Sequence, residues 1–276
     1  MIWSAYLSFT NYGVEQIAGF SETKTVGVDN YTQLLHDEKI RLALKNTFIF
    51  ALLKVPATMI CALGLALILV RLGRTAGFFR TVFYIPHITP PVAVGVLLLV
   101  LFNGQVGLIN QALGFIGIQG PYWTTDPSWI KPSVAITSVW SSGGTMVIYL
   151  AALHGVPQQL YEAASIDGAS KWRQFRNITL PMISPALFFT FIILTIASLD
   201  SFTEVYTAYF GAGSAGAEAP DAALFYAIYL FRQSFEFFHL GYASAMAWLL
   251  FVITMIITLV NVVASKRFVF YQGAQK

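Results

Sequence analysis

Charged side chains are scarce in this chain. Asp, Glu, Lys and Arg make up 11% of its 276 residues, whereas an ordinary soluble domain carries about 25%. Hydrophobic residues contribute 57%, and the mean hydropathy is +0.67. Because a water-soluble protein of this length needs more polar surface than these residues supply, the composition predicts a membrane protein.

Cysteine is almost absent, and several reactive motifs are missing altogether. Cys61 is the only cysteine, so no internal disulfide is possible, and we expect it to be a plain buried residue. The sequence has no Cys-x-x-Cys spacing, no Gly-x4-Gly-Lys-Ser/Thr loop, no Gly-x-Ser-x-Gly elbow and no His-Glu-x-x-His pair. These absences argue against a metal site, an ATP site or hydrolase chemistry in this chain. The beginning of the sequence also lacks a signal-peptide pattern, so cleavage is not expected.

Five apolar segments are long enough to cross a bilayer, which takes about 20 residues. They lie at about 46–70, 81–102, 132–153, 182–206 and 243–264. Residues 1–12, MIWSAYLSFTNY, are apolar but too short to span, and we interpret them as the outer end of a helix that is largely missing here. The sequence therefore predicts an all-α integral membrane protein with one transmembrane domain over 1–276.

Lysine and arginine predict the orientation, because they collect in cytoplasmic loops. The clusters that alternate correctly lie at 71–80, 171–176 and 266–267. The segments 103–131 and 207–242 each carry one basic residue, so we expect them to lie outside. The segment 13–41 carries mixed charges and is assigned outside by parity. The segment 154–181 and the C-terminus are therefore predicted to be cytoplasmic.

A dense polar segment, EAASIDGASKWRQFRNITLP, occupies 162–181 in that cytoplasmic loop. Residues 158–167 are good helix formers. Gly168 permits a turn that a β-carbon hinders, and a second short helix is predicted over 169–177. Leu-Pro at 180–181 is predicted to end that helix and lead the chain back into the membrane.

The second helix of this segment carries an aromatic face. Trp172 and Phe175 are three residues apart, and Ile178 extends the same side. Such a face in a cytoplasmic loop suits binding in a groove of a partner protein. The spacing alone is equally consistent with aromatic rings that tuck against the chain's own helix ends or the lipid interface.

The segment resembles the EAA loop of permease subunits of binding-protein-dependent ABC importers. That pattern reads Glu-Ala-Ala, three residues, Gly, nine residues and Ile-x-Leu-Pro, and both gaps are the same here. The resemblance implies that the loop docks into a cytoplasmic ATPase subunit. In that role Glu162 would pair with a basic group, Gly168 would set the elbow, and Trp172 would fill the groove with Phe175. The implied coupling residues are Glu162, Ala163, Ala164, Asp167, Gly168, Trp172, Phe175, Ile178, Leu180 and Pro181.

The wider chain is similar to the carbohydrate branch of that family, the maltose-type and glycerol-phosphate-type permeases. The stretches that carry this similarity are 8–13, 26–35, 46–53, 77–86 and 231–245. The resemblance implies a six-helix, type I importer bundle in a bacterial or archaeal cytoplasmic membrane. It also implies a second homologous permease chain, two ATPase subunits that bind ATP and Mg, and an extracytoplasmic solute-binding protein, with no nucleic acid. The outer loop at 210–223 departs from the family's shorter Gly-rich turn.

Polar residues inside the spans are candidates for a substrate path, because they are costly in lipid and tend to face the bundle interior. The candidates are Trp140, Ser141, Ser142, Thr145, Ser198, Asp200, Ser201, Phe202 and His87. Sugars stack on aromatic rings and bond to hydroxyls, which favours Trp140 and its neighbours. The alternatives are close helix packing around Gly143, an interfacial position for Asp200, and a packing or hydrogen-bonding role for His87.

Two other classes of function compete with an importer subunit. A self-sufficient secondary transporter is expected to show internal repeats and acidic residues at midplane, and a membrane-embedded enzyme needs a reactive set of side chains. The sequence shows neither pattern clearly. Within the importer class, a sugar, an amino sugar, a glycerophosphodiester or glycerol phosphate all remain open as the solute.

Overall fold

Helices account for nearly all of the regular structure in this chain. A computed structural model describes residues 1–211 and 220–268. Within those ranges the extended pairing is limited to a single bridge between Thr10 and Thr25. The predicted all-α class is confirmed. Residues 212–219, at the centre of the expected departure in the outer loop, lie outside the described residues.

The α-helices follow one another along the chain with mostly short connections. In chain order they are α1 (Ile2–Leu7), α2 (Val14–Ile17), α3 (Asp29–His36), α4 (Glu38–Arg71), α5 (Ala76–Tyr84), α6 (Pro91–Leu101), α7 (Leu108–Phe115), α8 (Pro127–Trp140), α9 (Gly143–His154), α10 (Gln158–Ile166), α11 (Lys171–Gln174), α12 (Leu180–Leu199), α13 (Thr203–Tyr209), α14 (Tyr226–Phe231) and α15 (Leu240–Phe268). Two π-helical turns, Phe175–Thr179 and Arg232–Glu236, follow α11 and α14.

Within residues 1–211 and 220–268, three helical segments are each long and apolar enough to cross a membrane. They cover Glu38–Arg71, Lys171–Tyr209 and Leu240–Ser265. Two further pairs of helices reach that length only together, and each pair is bent, α5 with α6 by 94° and α8 with α9 by 50°. Counting each bent pair as one span gives five, the number that the hydropathy pattern predicts.

Prolines account for the break inside the predicted span 81–102. A 3-10 turn over Ile85–Ile88 contains Pro86, Pro90 follows it, and Pro91 opens α6. Proline removes a backbone donor, and its ring clashes with the preceding turn of a helix. The chain therefore changes direction here, as the sequence predicts for prolines that break the helical ladder.

The predicted span 132–153 is also broken, at Ser141 and Ser142. The next residue, Gly143, approaches another helix closely, because a β-carbon there would collide with the carbonyl oxygen of Phe83. Small residues permit such contact between membrane helices. The bend and the close approach thus occur at the same point of the chain.

The chain divides into two compact units. Unit 1 comprises Met1–Ala51, Pro91–Val134 and Ile196–Thr258. Unit 2 comprises Leu52–Pro90, Ala135–Thr195 and the chain from Leu259 onward. Three long helices, α4, α12 and α15, contribute residues to both units.

In unit 1, one carboxylate joins the beginning of α4 to α14 and α15. Asp37 Oδ2 accepts hydrogen bonds from the hydroxyls of Tyr229 and Tyr242, both at 2.7 Å. Asp37 Oδ1 accepts from the backbone N–H of Lys39 at 2.8 Å. These bonds connect elements that are about 200 residues apart in the sequence.

In unit 2, the core forms where small residues of α4 meet α9. Ala62 and Ala66 are fully buried together with Met146 and Tyr149. The hydroxyl of Tyr149 shares a hydrogen bond with Thr190 Oγ1 at 2.6 Å, which connects α9 to α12. A buried hydroxyl needs such a partner, since an unpaired one costs about 1–3 kcal/mol.

Candidate functional site

The polar segment folds into a helix, a glycine turn and a second helix. The first helix, α10, is followed by Gly168 with a φ of +73°. The N–H of Gly168 donates to Ser165 O at 3.1 Å, and the N–H of Ala169 donates to Ala164 O at 2.8 Å. This is the paired bonding of a Schellman cap, in which glycine suits the left-handed residue. The predicted elbow at Gly168 is confirmed.

The second helix does not end at Leu180-Pro181, so that prediction was wrong. The chain instead runs from α11 through the π-turn Phe175–Thr179 directly into α12. A proline is tolerated in the first turn of a helix, where its missing N–H has little cost, and a wide turn relaxes the backbone ladder ahead of it. Pro181 therefore follows a π-turn and opens the membrane helix.

Two polar contacts hold the helices of this segment together. Gln174, 4% exposed, donates from Nε2 to Ser165 Oγ at 3.0 Å and to Ala169 O at 3.2 Å. The hydroxyls of Tyr161 and Thr179 are 2.8 Å apart. These contacts join the inner sides of the segment, so its shape is fixed by the chain itself.

The other side of the segment is open and carries the predicted coupling residues. Trp172 is 69% exposed, and its ring stacks on Phe175 with centroids 5.6 Å apart. Ile166 is 87% exposed, and Glu162 is also exposed. Because Trp172 keeps most of its surface, the alternative in which it tucks against the chain's own helix ends is not favoured. Of the remaining predicted residues, Ala163 and Asp167 are exposed, Ala164, Ile178, Leu180 and Pro181 are half-buried, and Gly168 forms the turn.

In unit 2, some predicted path residues pack against each other. The ring of His87 lies beside Gly144, where a β-carbon would come within 2.6 Å of His87 Nε2. Ser142 is buried and donates to Cys61 Sγ at 3.8 Å. These contacts support close packing for Ser142, whereas His87 lies against Gly144 but stays exposed.

Trp140 differs from the buried Ser142 in unit 2. It is 48% exposed, and Ser141 and Thr145 are half-buried. These three side chains can reach a solute or a lipid, so they stay candidates for the substrate path.

In unit 1, the other predicted path residues lie at the break between α12 and α13. Ser198 and Ser201 are buried, whereas Asp200 is exposed. Phe202 stacks on Tyr206 at 4.8 Å and contacts Phe231 at 4.9 Å. The two sets of path residues therefore belong to different compact units.

Sequence reasoning missed the aromatic cluster around Phe202, which comprises Phe202, Tyr206, Phe210 and Phe231. Tyr206 stacks on Phe210 at 6.2 Å and meets Phe231 edge-on at 5.0 Å. Phe202, Tyr206 and Phe210 lie in α13 and at its two ends, and their four-residue spacing is visible in the sequence as a helical signal. Phe231 comes from α14, and the sequence gives no signal for that contact.

An ion pair lies beside the aromatic cluster. Arg232 Nε is 2.7 Å from Glu236 Oε2, and the Tyr206 hydroxyl donates to Glu236 Oε1 at 3.2 Å. The guanidinium also lies over the ring of Phe210, 5.4 Å from its centroid. Both charged side chains are about one-third exposed, at 31% and 33%. The cluster thus joins apolar ring surfaces with accessible hydrogen-bond donors and acceptors.

The described residues form no group of three His, Cys, Asp or Glu side chains that could hold a metal ion. In residues 1–211 and 220–268, the groups available for binding are therefore those of the exposed helix–turn–helix and the polar side chains along the apolar helices.

Comparison with known proteins gives a consistent set of relatives. Residues 54–269 match the family described as the binding-protein-dependent transport system inner membrane component. The chain is 37% identical over 276 residues to the probable ABC transporter permease protein YesP of Bacillus subtilis (strain 168). The alignment covers 99% of this chain and 86% of that protein. It is 33% identical over 249 residues to the lactose transport system permease protein LacF of Rhizobium radiobacter, with 88% and 82% covered.

A solved structure has the same fold. It is the crystal structure of a bacterial alginate ABC transporter in complex with an alginate pentasaccharide-bound periplasmic protein. One chain of it aligns with a TM-score of 0.77 and 26% identity, and the alignment covers 87% of this chain and 83% of that one. The chain described here therefore belongs to the family of binding-protein-dependent ABC importer permeases, which are membrane transport components.

Proposed function

We propose that this chain is the permease subunit of an importer that moves a sugar or sugar-like solute, delivered by an extracytoplasmic binding protein. The observation that carries the proposal is the exposed helix–turn–helix at 158–179, with its Trp172 side chain 69% exposed. A transporter that works alone has no need of a preformed apolar surface on a cytoplasmic loop. Membership of the importer family supplies the partner class for that surface.

The loop would transmit movement from two cytoplasmic ATPase subunits, which bind ATP and Mg, to this chain and a second homologous permease. Its exposed side provides an apolar ridge, Trp172 with Phe175, and a carboxylate at Glu162. Helix-in-groove recognition uses such a ridge for affinity. The Schellman turn and the Gln174 contacts hold the two helices of the segment together. A displacement of the ridge would therefore move the whole segment rather than deform a flexible loop.

This arrangement corresponds to a multi-pass protein of the cytoplasmic membrane with the C-terminus on the cytoplasmic side. The alternating basic clusters support that orientation. The orientation can be tested with an epitope tag at the C-terminus. Added protease is expected to cut the tag only in inside-out vesicles.

The aromatic cluster and the Arg232–Glu236 pair support a sugar as the solute. Ring faces pack against the apolar face of a pyranose, and a carboxylate with a guanidinium bonds to neighbouring hydroxyls. The names of two relatives point the same way, since lactose and alginate are carbohydrates, whereas a third, 30% identical over 264 residues, is a glycerol-3-phosphate permease. Glu236 Oε2 lies 2.7 Å from Arg232 Nε, and its negative charge repels a phosphate but not a neutral sugar hydroxyl. That contact favours a sugar over glycerol phosphate or a glycerophosphodiester.

Charge reversal at Glu162 tests the coupling role. Glu162→Lys is expected to reduce recovery of the ATPase with the tagged chain by about tenfold, as expected when about 1.4 kcal/mol of binding is lost. The matched control is Glu22→Lys, an exposed carboxylate on the predicted outer segment. Equal ATPase recovery from both variants would rule out Glu162 as an anchor.

Uptake by vesicles that contain the complete complex tests the solute. Tyr206→Ala removes one ring and one hydroxyl of the cluster, and we expect the KM for the transported sugar to rise while complex yield stays the same. Phe251→Ala, an exposed ring on α15, is the control. If the complex instead takes up glycerol phosphate and ignores every sugar that the binding protein accepts, the sugar assignment fails while the coupling result stands.

A further inference from the structure

The segment between α6 and α8 presents apolar side chains to its surroundings. Residues 103–125 contain no Asp, Glu, Lys or Arg. Leu108 and Phe115 on α7 are 59% and 92% exposed, and Ile116 and Ile118 after it are 69% and 51% exposed. A surface helix in water normally shows its polar face to the solvent. Here the exposed face is apolar except for Gln111, whose amide donates to the Val106 carbonyl at 2.9 Å, so water is an unfavourable environment for most of it.

Internal contacts hold this apolar face in position. Asn110, on the inner side of α7, donates from Nδ2 to Gly104 O at 2.8 Å and to Pro121 O at 3.2 Å. Its Oδ1 accepts from Trp123 Nε1 at 2.6 Å. Gly120 packs so close to Asn110 that a β-carbon would collide with the amide. Because the two ends of the segment are fastened to α7, the exposed side chains belong to a defined surface.

The surface continues along α6. Val92, Val96 and Val100 repeat every four residues on one side of α6 and are 53%, 49% and 58% exposed. Val106, just before α7, is 70% exposed and extends the stripe. Since α6 is part of a bent membrane span, acyl chains are a favourable environment for its exposed valines and for the apolar side chains that follow them on α7.

Two exposed aromatic side chains follow this segment in the chain. Tyr122, between α7 and α8, and Trp129, in the first turn of α8, are 58% and 38% exposed. Tyrosine and tryptophan collect where acyl chains give way to headgroups, which is also where an amphipathic helix lies.

We propose that residues 106–118 form an interfacial lipid anchor. In this anchor α7 lies in the outer leaflet, with Leu108, Phe115 and Ile116 among the upper parts of the acyl chains. Lipid is the chosen occupant because the surface continues the valine stripe of α6 and lacks charge, whereas protein interfaces keep a polar rim. The missing charge also means that anionic headgroups are not needed for insertion.

The single cysteine makes a direct test possible. In a Cys61→Ser background, Phe115→Cys and Leu108→Cys each carry one NBD fluorophore, and Glu22→Cys serves as the water-exposed control. The assembled complex, with cysteine-free partner chains, is placed in phosphatidylcholine nanodiscs. Quenching is measured with a lipid that bears a doxyl group high on its acyl chain and, separately, with iodide in the buffer.

The lipid anchor predicts that the doxyl lipid quenches both loop probes at least about twofold more than iodide does, with the reverse order at residue 22. Replacing part of the phosphatidylcholine by phosphatidylglycerol should leave these values unchanged. Iodide quenching at both loop positions equal to that at residue 22 would mean that the loop lies in water, which overturns the proposal. Protection from both quenchers would mean that a protein chain covers the loop, which overturns it as well.

Discussion

Removal of the Asp37 carboxylate is expected to destabilise unit 1 strongly. The carboxylate accepts hydrogen bonds from two tyrosine hydroxyls and from the backbone N–H groups of Lys39 and Ile40. Tyr229 and Tyr242 are each 6% exposed, so Asp37→Ala leaves two largely buried hydroxyls without their acceptor. The free energy of each tyrosine bond is taken from the lower end of the range for bonds to a charged group, because Asp37 is itself partly exposed. The two bonds and the lost helix cap together give a loss of about 4 kcal/mol of unfolding free energy.

Two further variants serve as comparisons, one that removes only the charge of Asp37 and one at the neighbouring position. Asp37→Asn keeps an oxygen for the cap but places an amide against two hydroxyl donors, and we expect a loss of about 1–2 kcal/mol. Glu38→Ala is the control, because the Glu38 side chain is 90% exposed and its pair with Arg41 is 3.6 Å long; its effect should stay within about 0.5 kcal/mol.

The measurement is the free energy of unfolding, from SDS titration in mixed micelles at constant detergent. The order Asp37→Ala, Asp37→Asn, Glu38→Ala, from largest to smallest loss, is expected. An Asp37→Ala loss within about 1 kcal/mol of the Glu38→Ala control would refute the view that this carboxylate joins the three elements.

Acid adds an independent check on the same carboxylate. Burial raises the pKa of Asp37, but hydrogen bonds from Tyr229, Tyr242 and the backbone N–H groups of Lys39 and Ile40 outweigh it and hold the pKa below its ordinary 3.8. The carboxylate therefore adds stability that is present above pH 3.8 and is lost as the pH falls through the lower folded-state value. The stability gap between the wild type and Asp37→Asn should narrow as the pH falls below about 4.

Three other variants test contacts in unit 2. Tyr149→Phe removes the hydrogen bond between the Tyr149 hydroxyl and Thr190, which keeps its bonds to the carbonyls of Ala186 and Leu187, and should cost about 1 kcal/mol of unfolding free energy in the same titration, while the exposed Tyr122→Phe should cost almost nothing. Gly168→Pro cannot adopt the φ of +73°, so uptake should be lost although the chain still reaches the membrane; normal uptake would disprove a coupling role for the elbow. Trp140→Ala should impair uptake without changing assembly, and unaltered uptake kinetics would return Trp140 to a packing role.

The sequence predicts the parts of this protein that depend on local chemistry. Gly168 turns the chain because a left-handed residue after a helix favours glycine, and Pro86, Pro90 and Pro91 interrupt a span because proline cannot continue a helical ladder. The importer family was also predicted from the sequence, because the Glu162–Pro181 pattern has fixed spacing. The matched family confirms this prediction over the secondary-transporter and enzyme alternatives.

Features that join distant parts of the chain were not predicted from the sequence. The partners of Asp37 lie at 229 and 242, and no local pattern connects a carboxylate to tyrosines that far away. Phe231 of α14 meets Phe202, which is 29 residues earlier in the chain, and no local pattern connects these two rings. The roles of the predicted path residues, from His87 to Phe202, stay predictions, because contacts within this chain do not show which side chains a solute touches.

The π-turn at 175–179 has a consequence for the rotational phase of the segment. In an α-helix, residues five apart are separated by about 140° around the axis. Gln174 and Thr179 are five apart, yet both are buried and both bond to residues of the preceding helix, to Ser165 and Tyr161. The wide turn absorbs one extra residue and so brings both onto one side. Deleting one residue within 175–179 would give regular α-helical spacing and keep the flanking helical turns in the same rotational position. Inserting one residue would rotate Trp172 by about 100° around the helix axis relative to α12.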